Sequence, residues 1–146
     1  MTDKQASKRF FYQTIADDFE KLDNPYDVER RLRVVFDELL DGIDLIGKLV
    51  LDAGCGYGAF SIAAHRRGAK VVSLDIAEKL VKKAAVRAST AGVVGDASRL
   101  SFQDDAFDIV LSSEMLEHTL APEAIVHELI RVLRPAGHIV LTTPNR

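Results

Sequence analysis

The chain has 146 residues, 47% of them apolar and 28% charged, with a net charge of −3. That length suffices for one domain with its own core, and the charge balance offers no basic field for nucleic acid or an anionic membrane. No apolar run approaches the roughly 20 residues of a membrane span, the N-terminus lacks the apolar stretch of a signal peptide, and a single cysteine excludes an internal disulfide, so the expected address is the cytoplasm.

Residues 1–23 are mixed, with Phe10, Phe11, Ile15 and Phe19 in a weak helical stripe. Asn24-Pro25 then reads as a cap followed by proline at the first helical position. Val28, Leu32, Val35 and Leu39 continue at three- and four-residue steps, which predicts a helix to about Leu40, ended by Asp41-Gly42. From Lys48 the period changes. Leu49-Val50-Leu51 predicts a buried strand running into the glycines Gly54, Gly56 and Gly58, and residues 59–67 a helix closed by Gly68. Val71 to Leu74 predicts a second strand ending at Asp75. Leu80, Val81, Ala84, Ala85 and Ala88 predict a helix, and Val93-Val94 a short third strand before Gly95-Asp96. Phe107 to Leu111 predicts a fourth strand. Pro122 opens a helix with Ile125, Val126, Leu129, Ile130 and Leu133 on one face, and Arg134-Pro135-Ala136-Gly137 turns the chain into a fifth strand, Ile139 to Leu141. Strands alternating with helices, each strand a continuous apolar run, predict an α/β fold with a parallel sheet covered on both faces. Ligands on such sheets bind beyond the carboxyl ends of the strands, where Asp52, Asp75, Asp96 and Glu114 lie.

The main chemical signal is Asp52-Ala53-Gly54-Cys55-Gly56-Tyr57-Gly58. Glycines let the backbone turn tightly and let a ligand approach the main chain, and the following helix offers free N–H groups there. Gly54, Gly56 and Ala59 also fit the looser dinucleotide pattern, so a nicotinamide cofactor and a purely structural turn both remain open at this point. Asp75, ending the second strand, can accept hydrogen bonds from both hydroxyls of a ribose in either cofactor. Asp96 can accept from an adenine amino group, although an isolated aspartate here is often a turn former. Asp52 opposes a pyrophosphate and suits a cationic amino-acid moiety.

Val50 to Gly58, Ser73-Leu-Asp-Ile76, Gly95-Asp-Ala97, Phe107 to Ser113 and Leu133-Arg-Pro-Ala-Gly137 resemble, in order, the motifs of class I S-adenosylmethionine-dependent methyltransferases. The resemblance spans roughly residues 25–146. It implies a Rossmann-like, doubly wound parallel sheet of about five strands in the order 3-2-1-4-5, with a lid segment over residues 1–46 and a cofactor-binding core over 47–146. It further implies that Gly54, Cys55 and Gly56 line the methionine moiety, with Asp52 helping to hold the loop and the amino end. Asp75 would take the ribose hydroxyls with Ile76 also at the cofactor, Asp96 and Ala97 would read adenine, and Ser113 would offer its backbone near the methionine end. Phe11-Tyr12 and Phe19 resemble a helix that lids the cofactor, though helix packing explains them as well. Arg30 or Arg31 could reach the methionine carboxylate, and neither is assigned. No catalytic residue is identified.

Glu114-Met-Leu-Glu117-His118 follows the fourth strand. A helical turn starting there would put Glu114, Glu117 and His118 on one face, as candidate ligands for a divalent Mg or Zn ion. The segment resembles the Glu-x-x-Glu-His motif of ubiquinone-pathway O-methyltransferases and small-RNA 2′-O-methyltransferases, where a metal lies beside the acceptor oxygen. Many class I enzymes carry Leu-Glu-His here without metal. His65 and His127 are expected at the surface.

The class I sheet usually ends in an antiparallel hairpin beside the fifth strand, and the sequence stops at Thr143-Pro-Asn-Arg146. The expectation is therefore a shortened piece, or a subunit completed by a second copy or a partner at the fifth-strand edge. Three readings follow: a methyltransferase acting on a small-molecule oxygen or nitrogen acceptor, a cofactor-binding module without activity of its own, and an NAD-dependent oxidoreductase.

Overall fold

The structure, a computed structural model, describes residues 3–144; Met1, Thr2, Asn145 and Arg146 lie outside it, so the expected chain-end segment is described only as far as Pro144. Two helices, α1 (Asp3–Ile15) and α2 (Phe19–Leu22), precede α3 (Pro25–Arg33). Five strands follow: β1 (Leu49–Ala53), β2 (Lys70–Asp75), β3 (Ala91–Val94), β4 (Phe107–Ser113) and β5 (Leu133–Thr142). Between them lie α4 (Ala59–Arg66), α5 (Glu78–Ala88) and α6 (Pro122–Val132). The sheet order is β3-β2-β1-β4-β5 and every pairing is parallel, as the sequence predicted.

The continuous apolar strands have a direct structural cause. Alternate residues of one strand point to opposite faces, and here both faces are covered. Val50, Val71, Ile109 and Leu111 pack with Val35, Phe36, Phe60 and Ala64 on one side of the sheet. Leu51, Leu74, Phe107 and Val110 pack with Ile125, Leu129 and Val132 on the other. The segment before β1 is thus more than a cover: Val35, Phe36, Leu40 and Leu45 belong to the core.

Asn24 caps α3 as expected, its side chain accepting from the Tyr26 N–H at 3.0 Å, with Pro25 at the helix start. The predicted helix to Leu40 changes character on the way. Residues Val34–Leu39 form a π-helical turn, closed by the Leu40 N–H donating to the Val35 carbonyl at 3.0 Å. The wider turn brings residues five apart onto one face, so Val35 and Leu40 are both buried against the sheet.

β5 also departs from the expectation of a turn followed by a separate strand. It begins at Leu133, opposite Phe107, but the next partner of β4, Ile109, faces His138. The predicted Arg134–Gly137 turn therefore survives as a bulge inside the strand, with Ala136 at φ +62°. His65 and His127 are exposed, as expected. Among the described residues no helix is long and apolar enough to cross a membrane.

Candidate functional site

The carboxyl ends of β1, β2, β3 and β4 open on one cavity of about 660 Å³, roofed by α1 and α2. Its wall takes in Gly54, Cys55, Gly56, Asp75, Ile76, Asp96, Ala97 and Ser113. Of the nine residues that the sequence assigned to a cofactor, these eight meet in one space.

Asp52 does not face that space. It is 2% exposed, lies beneath the glycine loop and accepts from the Ser61 hydroxyl of α4 at 2.6 Å. Its place supports a role in holding the loop and does not put it at the amino end of a ligand. Burial, outweighing the hydrogen bonds from Ser61, pushes its carboxyl up to about 6, and the charge of Asp75 adds to the rise. A folded-state value raised above the ordinary 3.8 means that the native chain holds this proton more tightly than the unfolded chain. The associated stability is fully present below pH 3.8 and is lost as pH rises through about 6. We predict that Asp52→Asn flattens this dependence. Between pH 4 and 7 the wild type should lose about 2–3 kcal/mol relative to the variant. Urea unfolding across that range measures it, and parallel profiles would refute the assignment.

The glycine loop is shaped by its neighbours. The N–H groups of Gly54 and Cys55 donate to the Leu74 carbonyl at 2.8 and 2.9 Å, tying β1 to β2 at the cavity floor. A Cβ at Gly54, where φ is +75°, would stand 2.8 Å from the Met115 sulfur. At Gly58, with φ +95°, it would meet the Ala84 backbone of α5 at 2.8 Å. Cys55 lines the cavity, but burial first, and then the charges of Asp52 and Asp75, push its thiol well up, which disfavours the thiolate that a nucleophile needs.

Asp75 organises the next corner. Oδ2 accepts from the Gly56 N–H at 3.1 Å and Oδ1 from the Ala77 N–H at 3.0 Å, locking the loop to the start of α5. Burial raises its pKa while these backbone donors pull it down. Each carboxylate oxygen has a second lone pair for a ligand. Asp96 closes the far end: Oδ1 accepts from the Ser98 N–H at 2.8 Å and hydroxyl at 2.7 Å, and Oδ2 from the Gln5 amide of α1 at 2.6 Å.

The methionine-side candidates converge on Arg31. This residue lines the cavity, donates to the Ser113 hydroxyl at 3.4 Å and stands 3.6 Å from Asp23, which accepts from the Tyr57 hydroxyl at 3.0 Å. Arg30 is exposed. The sequence carried a signal for the choice: Arg31 is three residues beyond Val28, which also lines the cavity, so the two share a helix face. Gln5, Asp23 and Met115 were not foreseen. Phe19 lies over Gly56, with Tyr12 and Tyr57 beside it at ring distances of 6.0 and 6.4 Å.

The metal reading needs correction. Glu114 has φ +54° and so does not begin a helical turn, and only Leu116–His118 form a 3-10 turn. Glu114 accepts from the Thr142 hydroxyl at 3.4 Å. Glu117 is nearly enclosed, and neither of its carboxylate oxygens has a hydrogen-bond partner. His118 is largely exposed, its Nε2 3.8 Å from Glu117. Among the described residues no three His, Cys, Asp or Glu side chains are placed to hold a metal ion. The three expected ligands therefore do not fit a metal in this conformation.

Comparison with known proteins matches residues 51–141 to the methyltransferase domain family. A ubiquinone biosynthesis O-methyltransferase of Xanthomonas oryzae pv. oryzae is 41% identical over 110 residues, covering 71% of this chain and 46% of that protein. The Xanthomonas campestris pv. campestris protein of the same name is 36% identical, covering 97% of this chain and 65% of its own length. This chain thus spans about half to two thirds of the length of these curated relatives. Among solved structures, magnesium protoporphyrin IX methyltransferase from Synechocystis with bound SAH superposes with a TM-score of 0.75 at 25% identity, over 90% of this chain and 68% of that one. A phosphoethanolamine N-methyltransferase of Haemonchus contortus reaches 0.78 at 24% identity, over 98% of this chain and 33% of that one, which shows the shared fold.

Proposed function

Because the chain belongs to the methyltransferase domain family, we propose that its cavity binds S-adenosylmethionine and presents the methyl group to an oxygen of a small-molecule acceptor. The observation that carries this reading is the convergence of Gly54, Asp75, Asp96 and Arg31 on one cavity. A positive group stands at one end, a ribose acceptor in the middle and an amino-group acceptor at the other. The family match sets aside the nicotinamide alternative for the glycine loop.

In this reading the Arg31 guanidinium holds the methionine carboxylate beside Gly54 and Gly56, with Ser113 adjacent. Asp75 accepts from the ribose hydroxyls, Ile76 packs on the adenine, Asp96 accepts from its amino group and the Ala97 N–H donates to a ring nitrogen. The acceptor oxygen attacks the methyl carbon in line, the carbon–sulfur bond breaks, the sulfonium becomes a neutral thioether and the acceptor proton leaves to solvent. Positioning and water exclusion supply most of such a displacement, and Tyr12 and Phe19 of the roof, with Tyr57 of the glycine loop, exclude water. The three expected metal ligands do not converge among the described residues, and no metal step is derived.

The O-methyltransferase names of the relatives support an oxygen as acceptor atom, and a phenol is the simplest probe. We expect methyl transfer from labelled S-adenosylmethionine to a catechol, abolished by Asp75→Ala. Cofactor binding without turnover on any phenol would favour the module reading. A cytoplasmic setting accords with the single cysteine. The outer edge of β5, with Leu141 exposed, is where a second copy or a completing partner would add a strand. A sedimentation coefficient that stays monomeric at all concentrations, with no partner recovered, would count against that.

A further inference from the structure

Two side chains of the roof carry the same chemistry as the two ends of the proposed cofactor, and each sits on the core group that would receive that end. Gln5 of α1 donates a planar NH₂ to Asp96 Oδ2 at 2.6 Å, while Ser98 engages Oδ1. An adenine amino group is also a planar NH₂ donor and would seek the same oxygen. At the opposite end, Asp23, just after α2, brings a carboxylate to within 3.6 Å of the Arg31 guanidinium. The methionine carboxylate would seek the same guanidinium. Both Gln5 and Asp23 line the cavity, and the roof aromatics Tyr12 and Phe19 form a row with Tyr57 of the glycine loop.

We propose that Gln5 and Asp23 are affinity-setting residues: built-in stand-ins for the adenine amino group and the methionine carboxylate, which the cofactor displaces as it enters. The inference rests on the S-adenosylmethionine reading of the cavity. Each exchange replaces like with like, an amide donor by an amine donor and a carboxylate by a carboxylate. Asp96 and Arg31 therefore keep a partner throughout, and each displacement removes part of the affinity that the ligand would otherwise have. A ligand carrying both ends displaces both roof contacts and loses affinity to both, whereas a fragment carrying one end displaces only the contact at that end.

The test is equilibrium binding of S-adenosylhomocysteine and of adenosine to the full chain and its variants. Gln5→Ala should bind both ligands about fivefold more tightly, the scale of one hydrogen bond removed from competition. Gln5→Glu, which sets a like charge against Asp96, should do the same. Asp23→Asn should tighten S-adenosylhomocysteine about fivefold and leave adenosine unchanged. Unchanged or weaker binding in both Gln5 variants, whose folding a thermal melt checks, would overturn the proposal and make Gln5 a bystander or a direct adenine ligand. If the wild type and every variant fail to bind S-adenosylhomocysteine, the cofactor reading itself fails and takes this inference with it.

Discussion

Replacing Asp75 with alanine is expected to weaken S-adenosylhomocysteine binding by at least two orders of magnitude. The carboxylate has two tasks at once. It accepts from the Gly56 and Ala77 N–H groups at 3.1 and 3.0 Å, which fixes the glycine loop against α5. In the proposed complex it also accepts from the ribose hydroxyls. Hydrogen bonds to a charged group contribute about 1.5–3 kcal/mol each, so losing the ribose contacts alone predicts about 3 kcal/mol, and a loosened loop adds to it. Asp75→Asn keeps the shape and one acceptor oxygen, and should fall between wild type and alanine. Calorimetric titration of the three proteins measures the series. Equal affinities across it would remove Asp75 from the ligand site and leave it a purely structural cap.

The largest stability effect is expected at Gly58. An alanine there would have to hold φ near +95° and place its Cβ 2.8 Å from the Ala84 Cα, an atom of the α5 backbone that cannot swing aside. Strain of about 1–3 kcal/mol for such a dihedral combines with about 1–3 kcal/mol for overpacking. We therefore expect Gly58→Ala to lose roughly 2–6 kcal/mol in denaturant unfolding. Gly42 supplies the control, since its φ is +73° but a Cβ would meet nothing within 4 Å. Gly42→Ala should show the strain alone. If the two variants lose the same stability, the contact with α5 is not what requires glycine at Gly58.

The strands and the acids at their ends were legible because they rest on patterns of short range, whereas the strand order came from the resemblance to class I methyltransferases. A strand buried on both faces has to be a continuous apolar run, and a loop that turns sharply beneath a ligand needs glycine. Side-chain direction was less legible. Asp52 and Asp75 both lie at strand ends, yet Asp52 points under α4 to Ser61 while Asp75 faces the cavity. The metal set failed for a related reason. The spacing of Glu114, Glu117 and His118 suits an α-helix, but the left-handed φ of Glu114 breaks the turn before it starts. The π turn at Val34–Leu39 follows from the need to bury Val35, Phe36 and Leu40 together, a tertiary demand that periodicity does not display. The Gln5–Asp96 contact joins residues 91 apart in sequence. No local pattern encodes such a pair, so the roof's interaction with the core became visible only in three dimensions.

The most direct test of the cofactor site is a heteronuclear NMR titration of the full chain with S-adenosylhomocysteine, with NADH as competitor. The account predicts saturable shifts concentrated in the amides of Gly54–Gly58, Asp75–Ala77, Asp96–Ser98 and Ser113, undiminished by NADH. Shifts confined to other surfaces, no saturable binding, or displacement by NADH would contradict it.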